Sequence, residues 1–289
     1  MNWHPVKSVL LILLLLSNLF LLATTAGGRI ERERQYAASA AQAASLLSQS
    51  GIEIDEAILA VRESAPLSYT FAAARTDLYC AAAERFLGCA PAEVFLLPDG
   101  LLAKAGERAV RLAYDGRILF PAGSDDLSLP TGFDALPPEK DAYAAEKRLL
   151  YALTLSDADT LAVRGCAKGG DTVYFNCQSK LGDLPVFACD CVFGVKDGKL
   201  TAADGKLFLA GGARTSVASP CLDRVNIMLS ELRRGATGRV TGMTLCYAIF
   251  ENAEKDKTYA YPAYEIVYEN AGETQSVCVC ALDGERCAR

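Results

Sequence analysis

"VYFNCQSKLGDLPVFACDCVFGVKDGKL", residues 173–200, alternates apolar and polar side chains and breaks twice, at Leu181-Gly182-Asp183 and at Asp197-Gly198. Period-two alternation sends successive side chains to opposite faces of a strand, and glycine beside aspartate takes the positive backbone angles of tight turns. Antiparallel strands joined by hairpins are the prediction. The pattern returns in "MTLCYAIF" (243–250) and "PAYEIVYENAGETQSVCVCALDGE" (262–285), with breaks at Gly272 and Asp283-Gly284. Two earlier runs, "EVFLLPDGLLAK" (93–104) and "AVRLAYDGRILF" (109–120), each turn on Asp-Gly.

Helical patterns separate these strand sets. "TDLYCAAAERFLGC" (76–89) places Leu78, Ala82, Phe86 and Leu87 on one helical face. In "EKDAYAAEKRLLYALTL" (139–155), a helix started by Pro138 buries Tyr143, Leu149, Leu150 and Leu153. "SPCLDRVNIMLSELRRG" (219–235) predicts a helix with Ser219 as N-cap, Pro220 first, Leu222, Val225, Met228, Leu229 and Leu232 inward, and Gly235 beyond its end. "GSDDLSLPTGFDALPPEK" (123–140) gathers Pro, Gly, Ser and Asp and reads as a boundary between two halves. The fold class is therefore α+β: helices packed on antiparallel sheets, in two or more repeated helix-plus-meander units.

The amino terminus, "MNWHPVKSVLLILLLLSNLFLLATTAGG", carries no charge between Val9 and Ala26. A helix of that length spans about 27 Å, enough to cross a bilayer. Residues 9–26 are expected to be an uncleaved anchor behind a cytoplasmic stub (1–8). A signal peptide cut after Ala26 is the alternative. Arg29, Arg32 and Arg34 come after the span and lean toward an outside N-terminus, but a long domain beyond them translocates largely regardless of flanking charge. The expected order is then a membrane-proximal helix (27–50) ending at Gly51, a first α+β unit (51–136) and a second α+β region (137–289).

Composition narrows function. The net charge of -6 and the lack of a basic stripe argue against nucleic acid as a partner. The chain's one histidine, His4, precedes the span, so no Ser-His-Asp triad, Cys-His pair or histidine metal site can form in the folded part. No catalytic residue, cofactor or metal is assigned, and the protein is read as a non-enzyme. Eleven cysteines suit an oxidising exterior. Cys189-Asp190-Cys191 and Cys278-Val279-Cys280 are candidates for disulfides or for a packed core face, with four thiolates on zinc as a weaker alternative. Cys189 and Cys191 do not suit a bond to each other, because residues two apart on a strand stand roughly 6.5 to 7 Å apart. "GCAKGGDT" (165–172) lacks the ending of a phosphate loop and reads as a hairpin turn. Tyr261, Tyr264 and Tyr268 crowd Pro262 and suit either core packing or a protein interface. In the span, Ser17 and Asn18 are candidate donors to another membrane helix, or tolerated passengers.

Taken together, "MNWHPVKSVLLILLLLSNLFLL" resembles the anchored start of the YycI proteins of Gram-positive bacteria. "VYFNCQSKLGDLPVFACDCVFGVKDGKL", the helix after it and the "VTGMTLCYAIF...YPAYEIVYENAGETQ" ending are similar to that family's strand, turn and hairpin order over residues 140–286. YycH proteins and PepSY-type modules share part of this ending. The chain departs from the family in its cysteine richness and in Tyr264, where tryptophan is usual. The resemblance implies a single-pass membrane protein whose C-terminal domain is extracellular. With a YycH-like partner, such a protein adjusts a WalK-type sensor histidine kinase that governs cell-wall metabolism. A secreted or anchored PepSY-like binding or inhibitor module is the alternative.

Overall fold

The computed structural model describes residues 34–72, 76–122, 129–130, 132–135, 143–153, 159–209, 211–252 and 257–287. The expected anchor (9–26), with Ser17 and Asn18, lies outside the described residues, as does the expected helix start at Pro138. Among the described residues no helix is long and apolar enough to cross a membrane. The architecture is mixed α+β, dominated by antiparallel strands with few helices. Two compact units divide the chain, and β12 (Gly238–Asn252), β13 (Lys257–Asn270) and β14 (Glu273–Cys280) contribute to both.

Unit 2 holds most of the strands. A helix α3 (Thr76–Leu87) leads into the meander β3 (Glu93–Leu97), β4 (Gly100–Ala105), β5 (Arg108–Ala113) and β6 (Arg117–Phe120). A helix α4 (Ala144–Ala152) leads into the meander β7 (Asp159–Gly169), β8 (Thr172–Leu181), β9 (Leu184–Lys196) and β10 (Lys199–Lys206). The hairpins fall where Asp-Gly and Gly-Asp predict them, and "GCAKGGDT" is the β7–β8 turn. The two meanders are not independent repeats, however. Their last strands pair antiparallel, Ala203 opposite Phe120, so that one run reads β7-β8-β9-β10-β6-β5-β4-β3. Both helices bury into a single core.

That core contains Tyr79, Ala82, Phe86 and Leu87 of α3, Leu150 of α4, Leu153 just beyond it, and Leu112, Phe120, Phe175 and Phe193 from the strands. Tyr79, and not Leu78, occupies the inward face, since its hydroxyl donates to the Tyr114 carbonyl at 3.0 Å and its ring meets that of Tyr114 edge-on. Arg108 on β5 fastens the end of α3. Its guanidinium donates to the carbonyls of Leu87 (2.7 Å), Phe86 (3.3 Å) and Leu200 (3.2 Å), supplying positive charge where the helix dipole is negative. A second strand set in the same unit runs β11 (Gly211–Ala218), β2 (Leu67–Ala72), β13, β12, and touches β9 through Tyr247 opposite Val186.

Strand β9 serves both sets because it is bulged. Gln178 faces Asp190, yet Lys180 already faces Pro185, and Ala188 takes φ +54° between them. Extra residues on one strand bend it and turn its remaining side chains to new directions. Beyond the bulge the odd positions 189, 191, 193 and 195 are buried; before it Val186 is.

Unit 1 draws on three separate stretches. A helix α1 (34–49) buries Ala40, Ala43 and Leu47 and ends at Gly51, whose φ of +92° favours glycine as expected. A strand β1 (Ile52–Ile54) pairs in parallel with β12, Ile52 opposite Gly238, and a single-turn helix α2 (Glu56–Leu59) comes next, capped by Asp55. The helix α5 (Arg224–Arg233) starts four residues later than a Ser219 cap implies. Asp223 is its cap, accepting from the Asn226 amide at 2.9 Å, while Ser219 accepts from the Ser68 hydroxyl in unit 2. Val225, Ile227 and Met228 are buried, and so is Glu231, at 0% exposure.

Candidate binding cleft

The β5–β6 turn, the β9 bulge and the chain leaving β10 surround a cavity of about 260 Å³ in unit 2. Tyr114, Asp115, Phe187, Cys189, Lys206 and Phe208 are among its lining residues. Backbone contacts that only glycine allows set its floor. The Gly116 carbonyl accepts from the Leu207 amide at 2.9 Å, and a Cβ on Gly116 would lie 2.3 Å from the Leu207 oxygen. The buried Ser179 hydroxyl holds the next residue by accepting from the Phe208 amide at 3.1 Å. An open groove of about 900 Å³ shares Tyr114, Asp115 and Lys206 with the cavity, and adds Asp99, Arg111, Arg117, Asp190 and Asp204.

Charges of both signs line this groove. Arg111 pairs with Asp99 at 2.7 Å and Arg117 with Asp115 at 3.2 Å, all four well exposed and each pair worth little to stability. Asp190 differs. Although Asp190 is exposed as a residue, partial desolvation holds its carboxyl above the ordinary 3.8, the Arg164 guanidinium opposes that, and the Glu265 carboxylate adds to it. A folded-state pKa above the unfolded one means that the folded chain keeps a proton the unfolded chain releases. The associated stability is complete below the unfolded value and is lost as pH rises through the folded one. Asp190→Asn, which cannot ionise, should therefore be more stable than the wild type at neutral pH. That advantage should vanish below about pH 3.8, as denaturation across a pH series will show.

The cavity's thiols are poor nucleophiles. Burial pushes Cys189 up to about 12 despite the partly offsetting Lys206 ammonium. A hydrogen bond with the Cys278 thiol, then burial, raises Cys287. Neither forms much thiolate near neutral pH, and no histidine stands among the described residues to serve as their base. The cleft can therefore hold polar or charged groups, and in the folded chain its thiols are mostly protonated near neutral pH.

The residues singled out from sequence scatter. Along β13 the even positions face inward, so Tyr264 and Tyr268 are buried: they take the core-packing alternative and not the interface one. Tyr261 stays half-buried, stacked on Tyr259 at 5.7 Å and tilted against Phe250 at 5.6 Å. Tyr268, in unit 1, donates to the Glu231 carboxylate at 3.3 Å. The cysteines do not converge either. Cys189 packs with Phe71, Phe208 and Tyr247; Cys191 with Cys177 and Phe193; and Cys278 with Cys246, Ala248 and Ala263. Cys280 is buried outside these groups, its thiol raised to about 11, mainly by burial. Cys189 and Cys191 follow the bulge and keep their alternation, but they pack into different clusters, Cys189 toward the β2 and β12 strands and Cys191 toward β8. In the structure none of the eleven cysteines is bonded to another.

Sequence reasoning missed the exposed apolar end strand. Val94, Phe95 and Leu96 of β3 are 41%, 45% and 63% exposed, and the Lys104 ammonium lies over the Phe95 ring at 5.3 Å. Among the described residues β3 pairs with β4 alone. An uninterrupted apolar run, Val94-Phe95-Leu96-Leu97, in place of period-two alternation was a partial signal, one that β3 shares with buried strands such as β12.

No protein-family model matches the chain, and no curated protein does. Among solved structures, the chain is similar to the C-terminal domain of Bacillus megaterium YpeB, with 13% identity and a TM-score of 0.34. The match covers 74% of this chain and 96% of that one.

Proposed function

We propose that this protein works by contact and not by turnover: a membrane-anchored, extracytoplasmic regulator that touches a WalK-like sensor histidine kinase together with a YycH-like partner. The observation that carries the contact reading is the β3 edge. A strand whose second backbone side has no strand partner among the described residues, and which carries three adjacent exposed apolar side chains, suits the addition of an extended segment from another protein. The neutral, buried sulfurs of the cleft support the absence of catalysis, and the apolar run from Val9 to Ala26 supports the anchor. The kinase as partner rests on the sequence resemblance. Regulation of this kind requires that the contact favour one signalling state of the kinase, since equal affinity for both shifts nothing.

Phe95→Asp with Leu96→Lys is the test. Both residues are exposed, so folding stability should change by no more than about 0.5 kcal/mol. Recovery of the kinase with full-length protein from detergent-solubilised membranes should drop by tenfold or more. Undiminished recovery places the contact elsewhere; a kinase that never co-purifies with the wild type removes the reading. The mixed-charge groove around Lys206 favours the alternative, an envelope binding or inhibitor module. Lys206→Glu weakening partner or ligand binding while the β3 variant leaves it intact would select that one.

A further inference from the structure

Three thiols meet where the chain's last described residues fold back on β14. Residues 285–287 run antiparallel to 278–280: the Cys287 amide donates to the Cys278 carbonyl at 2.8 Å, the Cys280 amide donates to the Glu285 carbonyl at 2.8 Å, and Val279 bridges Arg286. Cys278 and Cys287 thus stand directly opposite in a hydrogen-bonded position, where alpha carbons are about 5.5 Å apart and both side chains leave the same face. A disulfide needs alpha carbons roughly 4.4 to 6.8 Å apart, which this position meets, and beta carbons within about 4.5 Å, which a hydrogen-bonded pair reaches by a small inward shift of the C-terminal turn. The Cys278 thiol is near enough to hydrogen-bond with the thiols of both Cys287 and Cys246, and Cys246 donates to the Ala263 carbonyl at 3.4 Å. On β13, between the Cys246 and Cys278 strands, Ala263 leaves room for that approach.

We propose that Cys278 and Cys287 form a disulfide that ties the C-terminal turn to β14, with Cys246 remaining a thiol beside it. This rests on the reading that the folded part lies outside the cytoplasm, where such bonds persist. In the step, the two thiols give two protons and two electrons to an incoming disulfide, which leaves as two thiols. The exchange takes place during folding, before Cys278 is buried to 2% exposure. Of the pairings the cluster allows, Cys278–Cys287 is the one already set by the backbone; Cys246 is committed to the Ala263 carbonyl.

The test uses the full chain in two arms. In one, membranes are quenched with N-ethylmaleimide before extraction; in the other, reduced and unfolded protein is refolded with oxidised glutathione. Trypsin cuts after Lys257 and Arg286, so the bond appears in non-reduced digests as Cys287-Ala-Arg linked to the peptide carrying Cys278 and Cys280. Cys280→Ser should keep that link and Cys278→Ser should lose it. Reduction should lower the thermal midpoint by about 5–10 °C, whereas Cys246→Ser should leave that shift in place. The link in both arms supports the proposal. Its absence after refolding, or a Cys246–Cys278 bond in its stead, overturns the pairing. The link after refolding but not in quenched membranes upholds the pairing and overturns the extracytoplasmic location.

Discussion

Gly205→Ala is expected to cost about 4 kcal/mol or more of folding stability, which puts it among the rare severe single substitutions. Gly205 lies on β10 with φ +139°, and a Cβ there would lie 2.3 Å from the Asp190 carbonyl oxygen and 2.6 Å from the Cys191 alpha carbon. Both atoms belong to the backbone of β9, so no side chain can swing aside to make room. Strands β9 and β10 would have to separate in the middle of the eight-strand run, just where the groove and the shared core meet. Gly182 is the control. It also has positive φ, +62°, but nothing lies within 4 Å of its Cβ position, so Gly182→Ala should cost only the backbone strain, about 1–2 kcal/mol. Urea denaturation of the two variants compares close approach with strain directly. Equal losses would show that the β9–β10 contact is looser than 2.3 Å implies.

Glu231→Ala is expected to cost about 2–4 kcal/mol, from the buried volume it empties and the acceptor it takes from Tyr268. Its carboxylate is fully buried in unit 1 and accepts from Arg234 at 3.0 Å and from the Tyr268 hydroxyl at 3.3 Å. Arg234 retains a quarter of its side-chain exposure and can turn to water when the carboxylate goes. The cost therefore falls on the emptied volume and on Tyr268, which loses an acceptor. Glu231→Leu separates these terms by restoring volume without charge. It should recover a substantial part of the loss, while Tyr268→Phe alone should cost about 1 kcal/mol. A cycle of Glu231→Ala and Tyr268→Phe should show a coupling of about 0.5–3 kcal/mol by denaturant midpoints. Additive single losses would mean that the hydroxyl contributes nothing through Glu231.

The strands of this protein were legible because their signals are local. Alternation and Asp-Gly pairs fixed β3 to β6 and β8 to β10 within a residue or two, since a hairpin's register is set by its own turn. The β6–β10 join was not legible, because Phe120 and Ala203 are far apart in the chain and nothing local announces their pairing. The bulge at Ala188 was invisible for a related reason: alanine carries no preference for φ +54°, and the neighbouring strand imposes it. For the candidate site, the cysteines were conspicuous by type but misleading by spacing. The residues that shape the cleft, Tyr114, Asp115, Lys206 and the two glycines, looked like ordinary turn and surface positions. At α5, Ser219 and Asp223 were both chemically competent caps, and the Ser68 contact decided between them.

Unit 1 is assembled from residues that enter the world at very different times. Its β1 strand needs Gly238 to Val240, and its buried Glu231 needs Tyr268, so the N-terminal helix and strand must wait until nearly the whole chain has been synthesised. The α3 meander closes over contacts only a few residues long and has no such delay. Synthesis therefore favours an order in which the middle of the chain folds first and its beginning docks last. During that interval Ala40, Ala43 and Leu47 of α1 stay exposed, and apolar surface exposed in this way invites aggregation.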